Sequence, residues 1–154
     1  MIDRRTMLGL LAAAFPVAAY AKPARSATLT VYKSPSCGCC SGWVDHIKAS
    51  GIAVRVVEME DVTPMAKKLG VPDAMRSCHT GEIGGYFIEG HVPAADIRKL
   101  LRERPAARGI ALPGMPVGAP GMEQGARRDP YATMIVSRVG KPTLIVRHNQ
   151  SQAS

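Results

Sequence analysis

Apolar and polar positions alternate over residues 27–32, with Leu29 and Val31 on one side, and this period of two predicts a strand. Pro35 and Gly38 shape the loop that follows it. Residues 39–50 read as a helix ended by Gly51, and residues 52–58 as a second strand. Thr63 before Pro64 has the form of an N-cap with proline at the first helical position, opening a short helix to Leu69 before Gly70. Residues 71–75 form a turn or short helix leading to Ser77, Cys78, His79 and Thr80. A glycine-rich passage (Gly81, Gly84, Gly85) then precedes a third strand over residues 86–89, turned by Gly90. Residues 93–101 predict a helix whose buried face carries Ile97, Leu100 and Leu101.

Beyond that helix the pattern breaks. Residues 109–125 are punctuated by Pro113, Pro116 and Pro120 and carry Met115 and Met122. Residues 133–137 and 143–147, around Gly140 and Pro142, predict a terminal hairpin. The tail over residues 149–154 is polar and is expected to be flexible, and no internal repeat is visible.

The first 21 residues stand outside this scheme. A short charged start, an apolar run from Met7 and the Ala19-Tyr20-Ala21 cleavage signature follow the grammar of an export signal. Arg4-Arg5 also fits a twin-arginine subtype. The apolar run is too short to span a bilayer comfortably, so no stable membrane span is expected after signal removal. Residues 22–27 read as a disordered lead-in and residues 28–148 as one domain. Cleavage would leave 133 of the 154 residues and lower the formal net charge from +8 to +7. The basic residues are dispersed and aromatics are few, which argues against nucleic acid as a partner and for a solvated surface.

Export changes the meaning of the cysteines. Three of the four, Cys37, Cys39 and Cys40, fall within four residues, and the fourth, Cys78, is followed at once by His79. Adjacent Cys39 and Cys40 do not readily bridge each other, so one disulfide at most is comfortable and reactive thiols remain. That density points to a metal site or a redox centre rather than to packing, since buried structural cysteines usually come singly.

A strand ending in a C-x-x-C loop that opens a helix is the thioredoxin-like arrangement, and the later βα units agree with it. The expected fold is therefore an α/β, thioredoxin-like domain with a C-terminal β-hairpin extension. In that arrangement the loop before the third strand lies against the C-x-x-C pair. Cys78 and His79 should then approach Cys37 and Cys40, and His91, at the far end of the strand, should be remote.

Cys37-Gly38-Cys39-Cys40 with Trp43 and His46, followed by Ser77-Cys78-His79-Thr80, resembles a periplasmic metal-binding family of copper-resistance proteins, the CopG-like family (domain of unknown function 411). The runs over residues 85–93 and 112–123 match it too, so the resemblance spans roughly residues 28–148. It implies a thioredoxin-like domain, periplasmic localisation and copper binding through the cysteines, with no reaction specified. Other periplasmic copper-handling proteins are the partners it would suggest.

The residues themselves set the terms of that binding. Thiolate is the ligating form, and the start of the helix after Cys37, with Lys33 nearby, favours negative charge. Soft sulfur suits Cu(I) and also binds zinc, but an adjacent Cys-Cys pair is awkward for a single tetrahedral ion. Bridging thiolates in a small multinuclear Cu(I) cluster fit better. The candidate ligands are Cys37, Cys39, Cys40, Cys78 and, as nitrogen donor, His79, for which a polar loop role weighs about equally. His46 reads as structural, and His91 and His148 as surface or local hydrogen-bonding residues. Trp43 is core or a lid over the sulfurs. Met115 and Met122 could cap the site, although loop packing is the simpler role. Two functions remain: copper binding for resistance or homeostasis, and thiol–disulfide oxidoreduction with Cys37 as nucleophile and Cys40 as resolving thiol.

Overall fold

The computed structural model describes residues 27–150. The expected export signal, residues 22–26 of the lead-in and residues 151–154 of the tail lie outside the described residues. Seven strands and three helices follow in the order β1 (Leu29–Lys33), α1 (Gly38–Ala49), β2 (Val54–Glu58), α2 (Thr63–Leu69), β3 (His79–Ile83), β4 (Tyr86–Glu89), α3 (Ala94–Glu103), β5 (Ala107–Ala111), β6 (Tyr131–Ser137) and β7 (Pro142–His148). A single 3-10 turn, Asp73–Met75, joins α2 to β3. The fold is mixed α/β, with one seven-stranded sheet in the order β2-β1-β3-β4-β5-β6-β7.

β1 pairs parallel with β2 and antiparallel with β3, and β4 pairs antiparallel with β3 and parallel with β5. Alternation along each strand divides the apolar residues between two faces. Leu29, Val31, Ile88 and Ile110 join Trp43 and Ile47 of α1 and Ile97 and Leu100 of α3 in the main core. Phe87, Ala111 and Val136 meet Ala66 of α2 and Val71 in a smaller cluster on the other face.

Most elements match the sequence reading within two residues, but two strands are new. The glycine-rich passage is not a loop: Gly81 lies inside β3 against the Leu29 side chain, where an added Cβ would sit 3.1 Å from Cδ1. Only Gly84 and Gly85, at φ 58° and 89°, make the turn into β4. β5 begins before the proline-rich stretch, and its Gly109 is the point where the Phe87 ring crosses the backbone. Thr63 is not the cap of α2; it is the first helical residue, and its N–H donates to Asp61 Oδ1 at 2.8 Å.

The hairpin is longer than its apolar runs and extends the same sheet through β5–β6 pairing. A polar clamp ties it to α3. Buried Asp96 Oδ2 accepts from Thr133 Oγ1 at 2.6 Å and from His148 Nε2 at 2.9 Å, with the Tyr131 ring stacked on the His148 imidazole.

Candidate metal centre

The cysteine loop is a tight turn at the end of β1. Cys37 N–H donates to Ser34 O at 3.2 Å and Ser36 N–H to Ser34 Oγ at 3.3 Å. Cys37 is the N-cap of α1 with no side-chain cap, so the first turn of that helix keeps open N–H groups beside the sulfurs. Lys33 serves the loop too: its Nζ donates to Ser34 O at 2.9 Å and lies 3.6 Å from Glu58.

Cys78 arrives from 38 residues downstream through sheet register. β1 pairs antiparallel with β3 so that Lys33 faces His79, which sets the residue before β3 against the residues after β1. The Sγ atoms of Cys37, Cys39, Cys40 and Cys78 lie within 4.8 Å of one another, as the chain order led us to expect. Cys37 and Cys40 form a disulfide, and Cys39 and Cys78 are free thiols. Cys40 is buried and the other three are half-buried. Cys39 Sγ is 3.5 Å from Cys37 Sγ, and Cys40 Sγ touches the Cys78 carbonyl at 3.8 Å.

His79 joins this group. Its ring is fully buried, 4.3 Å from the Trp43 ring, with Nδ1 3.5 Å from Cys78 Sγ. Its Nε2 is buried without a hydrogen-bond partner, while Nδ1 is the nitrogen turned toward Cys78. Burial, and then neighbouring His91, push its pKa down to about 3, so the ring is a neutral donor. Trp43 is core, the first of its two expected roles; its ring lies behind His79, and its Nε1 donates to Val92 O at 2.8 Å.

His91 is not remote, and it is not a surface residue. It is fully buried, and its Nε2 stands 3.1 Å from Cys78 Sγ. The reason is the missed strand. β3 and β4 form a hairpin with Thr80 opposite Glu89, and the same register carried two residues further pairs Cys78 with His91. Reading residues 79–89 as two strands around Gly84-Gly85 would have found it. The geometry also fixes its tautomer: Nδ1–H donates to Pro120 O at 2.7 Å, which leaves Nε2 as the free acceptor for the Cys78 S–H. Burial lowers its pKa, against the pull of the Pro120 carbonyl.

Cys78, His79 and His91 thus make a second donor group sharing Cys78 with the four sulfurs. Burial, reinforced by Cys39, pushes the Cys78 thiol up to about 12. Without metal it is a neutral S–H, and a bound ion must displace that proton.

The loop after β5 closes over this end of the sheet. Gly121, at φ 82°, lies against Gly42 of α1, and Pro120 beside it holds His91. Met122 packs half-buried against the main core, whereas Met115 is 49% exposed. His46 is structural, its Nε2 accepting the Ala94 N–H at the start of α3 at 3.2 Å. His148 belongs to the clamp under the hairpin.

An α/β protein with four sulfurs and two neutral imidazoles gathered at one sheet end carries a donor set able to bind a soft metal ion. Residues 75–122 match a family model described as "Protein of unknown function, DUF411". Two solved structures, copper resistance protein copG in form 2 and form 1, are 46% identical to this chain, with TM-scores of 0.76 and 0.75. They cover 79% and 80% of this chain, which in turn covers 98% of each. The chain belongs to this family of copper resistance proteins. A search of curated proteins gives no significant match. Among the described residues no helix is long and apolar enough to cross a membrane.

Proposed function

We propose that this chain is an exported, periplasmic copper-binding protein for copper resistance or homeostasis. In this reading residues 1–21 are the export signal, residues 28–148 form one domain, and other periplasmic copper-handling proteins are its partners. A thioredoxin-like reading of the first four strands is supported by their order β2-β1-β3-β4, with α1 following the cysteine loop and α2 between β2 and β3.

The observation that carries the proposal is the gathering of four Sγ atoms within 4.8 Å. Four sulfurs at that spacing can surround one ion or bridge several, and bridging suits Cu(I), whose sites need only two or three soft donors. The reduced centre then binds Cu(I) as a small thiolate cluster through Cys37, Cys39, Cys40 and Cys78, with His79 and His91 as nitrogen donors at its inner side. Neutral imidazoles suit this because they bind without first losing a proton. Zinc fits less well, since Cys39 and Cys40 are adjacent in the chain. Copper bound here would add a one-electron redox couple; the protein's part is to hold the sulfurs together and shield them behind Trp43 and the loop containing Pro120.

A second reading rests on the Cys37–Cys40 bridge. An external thiolate attacking Cys37 Sγ would form a mixed disulfide and release Cys40 as thiolate. Attack by a second external thiol on the partner sulfur would then give an oxidised dithiol and a reduced Cys37–Cys40 pair. This oxidoreductase reading leaves Cys39 and Cys78 without a task.

Anaerobic loading of the reduced chain with excess Cu(I), followed by metal and protein assay, separates the readings. Several coppers per chain, lost in Cys37→Ser, is the expected result. One copper per chain would remove the cluster, and none would leave the oxidoreductase reading.

A further inference from the structure

Glu89 is fully buried and belongs to neither donor group. It ends β4 on the face turned away from Trp43, the face that Phe87 shares with α2. Its two oxygens grip the chain on either side of the Cys78-His79 pair. Oε1 accepts the Ser77 N–H at 2.7 Å, and Oε2 accepts the Thr80 hydroxyl at 2.6 Å. Its backbone is engaged as well, since Leu112 N–H donates to Glu89 O at 2.9 Å. Arg76 Nε lies 3.9 Å from Oε1, and Arg76 Nη2 reaches back to Thr63 Oγ1 at 3.0 Å.

A buried carboxylate is costly unless its acceptors are used, and burial does push the Glu89 carboxyl up, against Thr80, Ser77 and Arg76. What this side chain provides is two rigidly linked polar atoms aimed at partners three residues apart, with the metal-facing pair between them. Cys78 immediately precedes β3, one residue ahead of the first ladder residue, where a strand would otherwise fray. The bracket replaces the missing ladder.

The geometry points to Glu89 as the positioning residue of the metal centre: through the Ser77 N–H and the Thr80 hydroxyl it holds Cys78 Sγ against His91 and the Cys37–Cys40 loop. This rests on the metal-centre reading above. Residues that orient a metal ligand through hydrogen bonds typically change affinity by about 10–100-fold when removed.

The test uses the full chain with Glu89→Ala, Glu89→Gln and Thr80→Val, read in two ways. The first is Cu(I) affinity of the reduced chain, by competition with a chromophoric Cu(I) chelator. The second is the iodoacetamide alkylation rate of Cys78 in metal-free, non-reduced protein carrying Cys39→Ser, where the Cys37–Cys40 bridge leaves Cys78 as the free thiol. Glu89→Ala is expected to weaken Cu(I) binding by about 10–100-fold and to speed alkylation, with Thr80→Val giving a smaller change in both. Glu89→Gln keeps an acceptor for Ser77 and a donor for Thr80, and is expected to restore wild-type behaviour.

Wild-type affinity and alkylation in both Glu89→Ala and Thr80→Val would overturn the assignment. So would a folded Glu89→Gln as impaired as Glu89→Ala, which would give the role to charge rather than placement. If Glu89→Ala does not fold, Thr80→Val and Glu89→Gln still decide. If the wild-type chain takes up no Cu(I), the copper reading falls while the alkylation rates still judge Glu89.

Discussion

Gly121→Ala is the sharpest probe of how the loop after β5 is held over the metal centre. Gly121 has φ 82°, and a Cβ there would lie 2.5 Å from Trp43 N, 2.6 Å from Cys39 O and 3.0 Å from Gly42 C. All three are backbone atoms of α1, so no side chain can swing aside. Gly114 in the same loop supplies the control: its φ is 76°, and nothing lies within 4 Å of its added Cβ. Both substitutions carry the left-handed penalty of about 1–2 kcal/mol. Only Gly121→Ala adds overpacking, about 1–3 kcal/mol where the surroundings yield in part. The expected loss is therefore about 1–2 kcal/mol for Gly114→Ala and about 2–5 kcal/mol for Gly121→Ala. Urea unfolding of the metal-free protein measures both. The Gly121 variant should also bind Cu(I) more weakly, because the loop can relieve the contact only by lifting Pro120 away from His91. Equal losses in the two variants, within about 0.5 kcal/mol, would refute the close approach and with it the role of the loop as a clasp.

Three further outcomes follow from the site. Protein kept oxidised at Cys37–Cys40 should bind fewer coppers than reduced protein, with capacity recovered after a dithiol reductant; metal analysis before and after reduction checks this. His91→Ala should lower Cu(I) affinity by about tenfold or more while leaving the four-sulfur stoichiometry in place, and unchanged affinity in a chelator competition would take His91 out of the ligand set. Burial holds the His46 pKa below its ordinary 6.5, against the pull of Glu123, and the neutral ring accepts the Ala94 N–H. Between the folded and unfolded pKa values the unfolded chain binds more protons, so this contribution to stability is present above about pH 6.5 and is lost as pH falls below it. Urea midpoints of metal-free protein should therefore fall less on acidification in His46→Gln than in wild type.

The sequence made much of this centre legible, for a definite reason. The order strand, cysteine loop, helix constrains where the chain can return, and that return is what brings Cys78 to Cys37 and Cys40. What stayed hidden was hidden by glycine. Gly81 in β3 and Gly109 in β5 look like breaks in a periodic pattern, yet each is small because another residue, Leu29 or Phe87, packs over it. Losing β3 meant losing the β3–β4 register, and that register alone places His91 opposite Cys78. Glu89 was invisible for a related reason, since an acidic residue ending a strand reads as solvated unless its partners across the hairpin are known. The helices were easier: α1 and α3 each carry an apolar stripe several turns long, and Pro64 and Gly70 bound α2 closely.

Trp43 has one more consequence. It is the single tryptophan of the chain, fully buried, with its ring 4.3 Å from His79. Its near-ultraviolet emission therefore comes from one known position, free of overlap from other indoles, and lies within contact range of the candidate donors. An ion entering the centre would quench that light. The protein thus carries its own optical gauge of loading, readable during a titration without a label or a chelating dye.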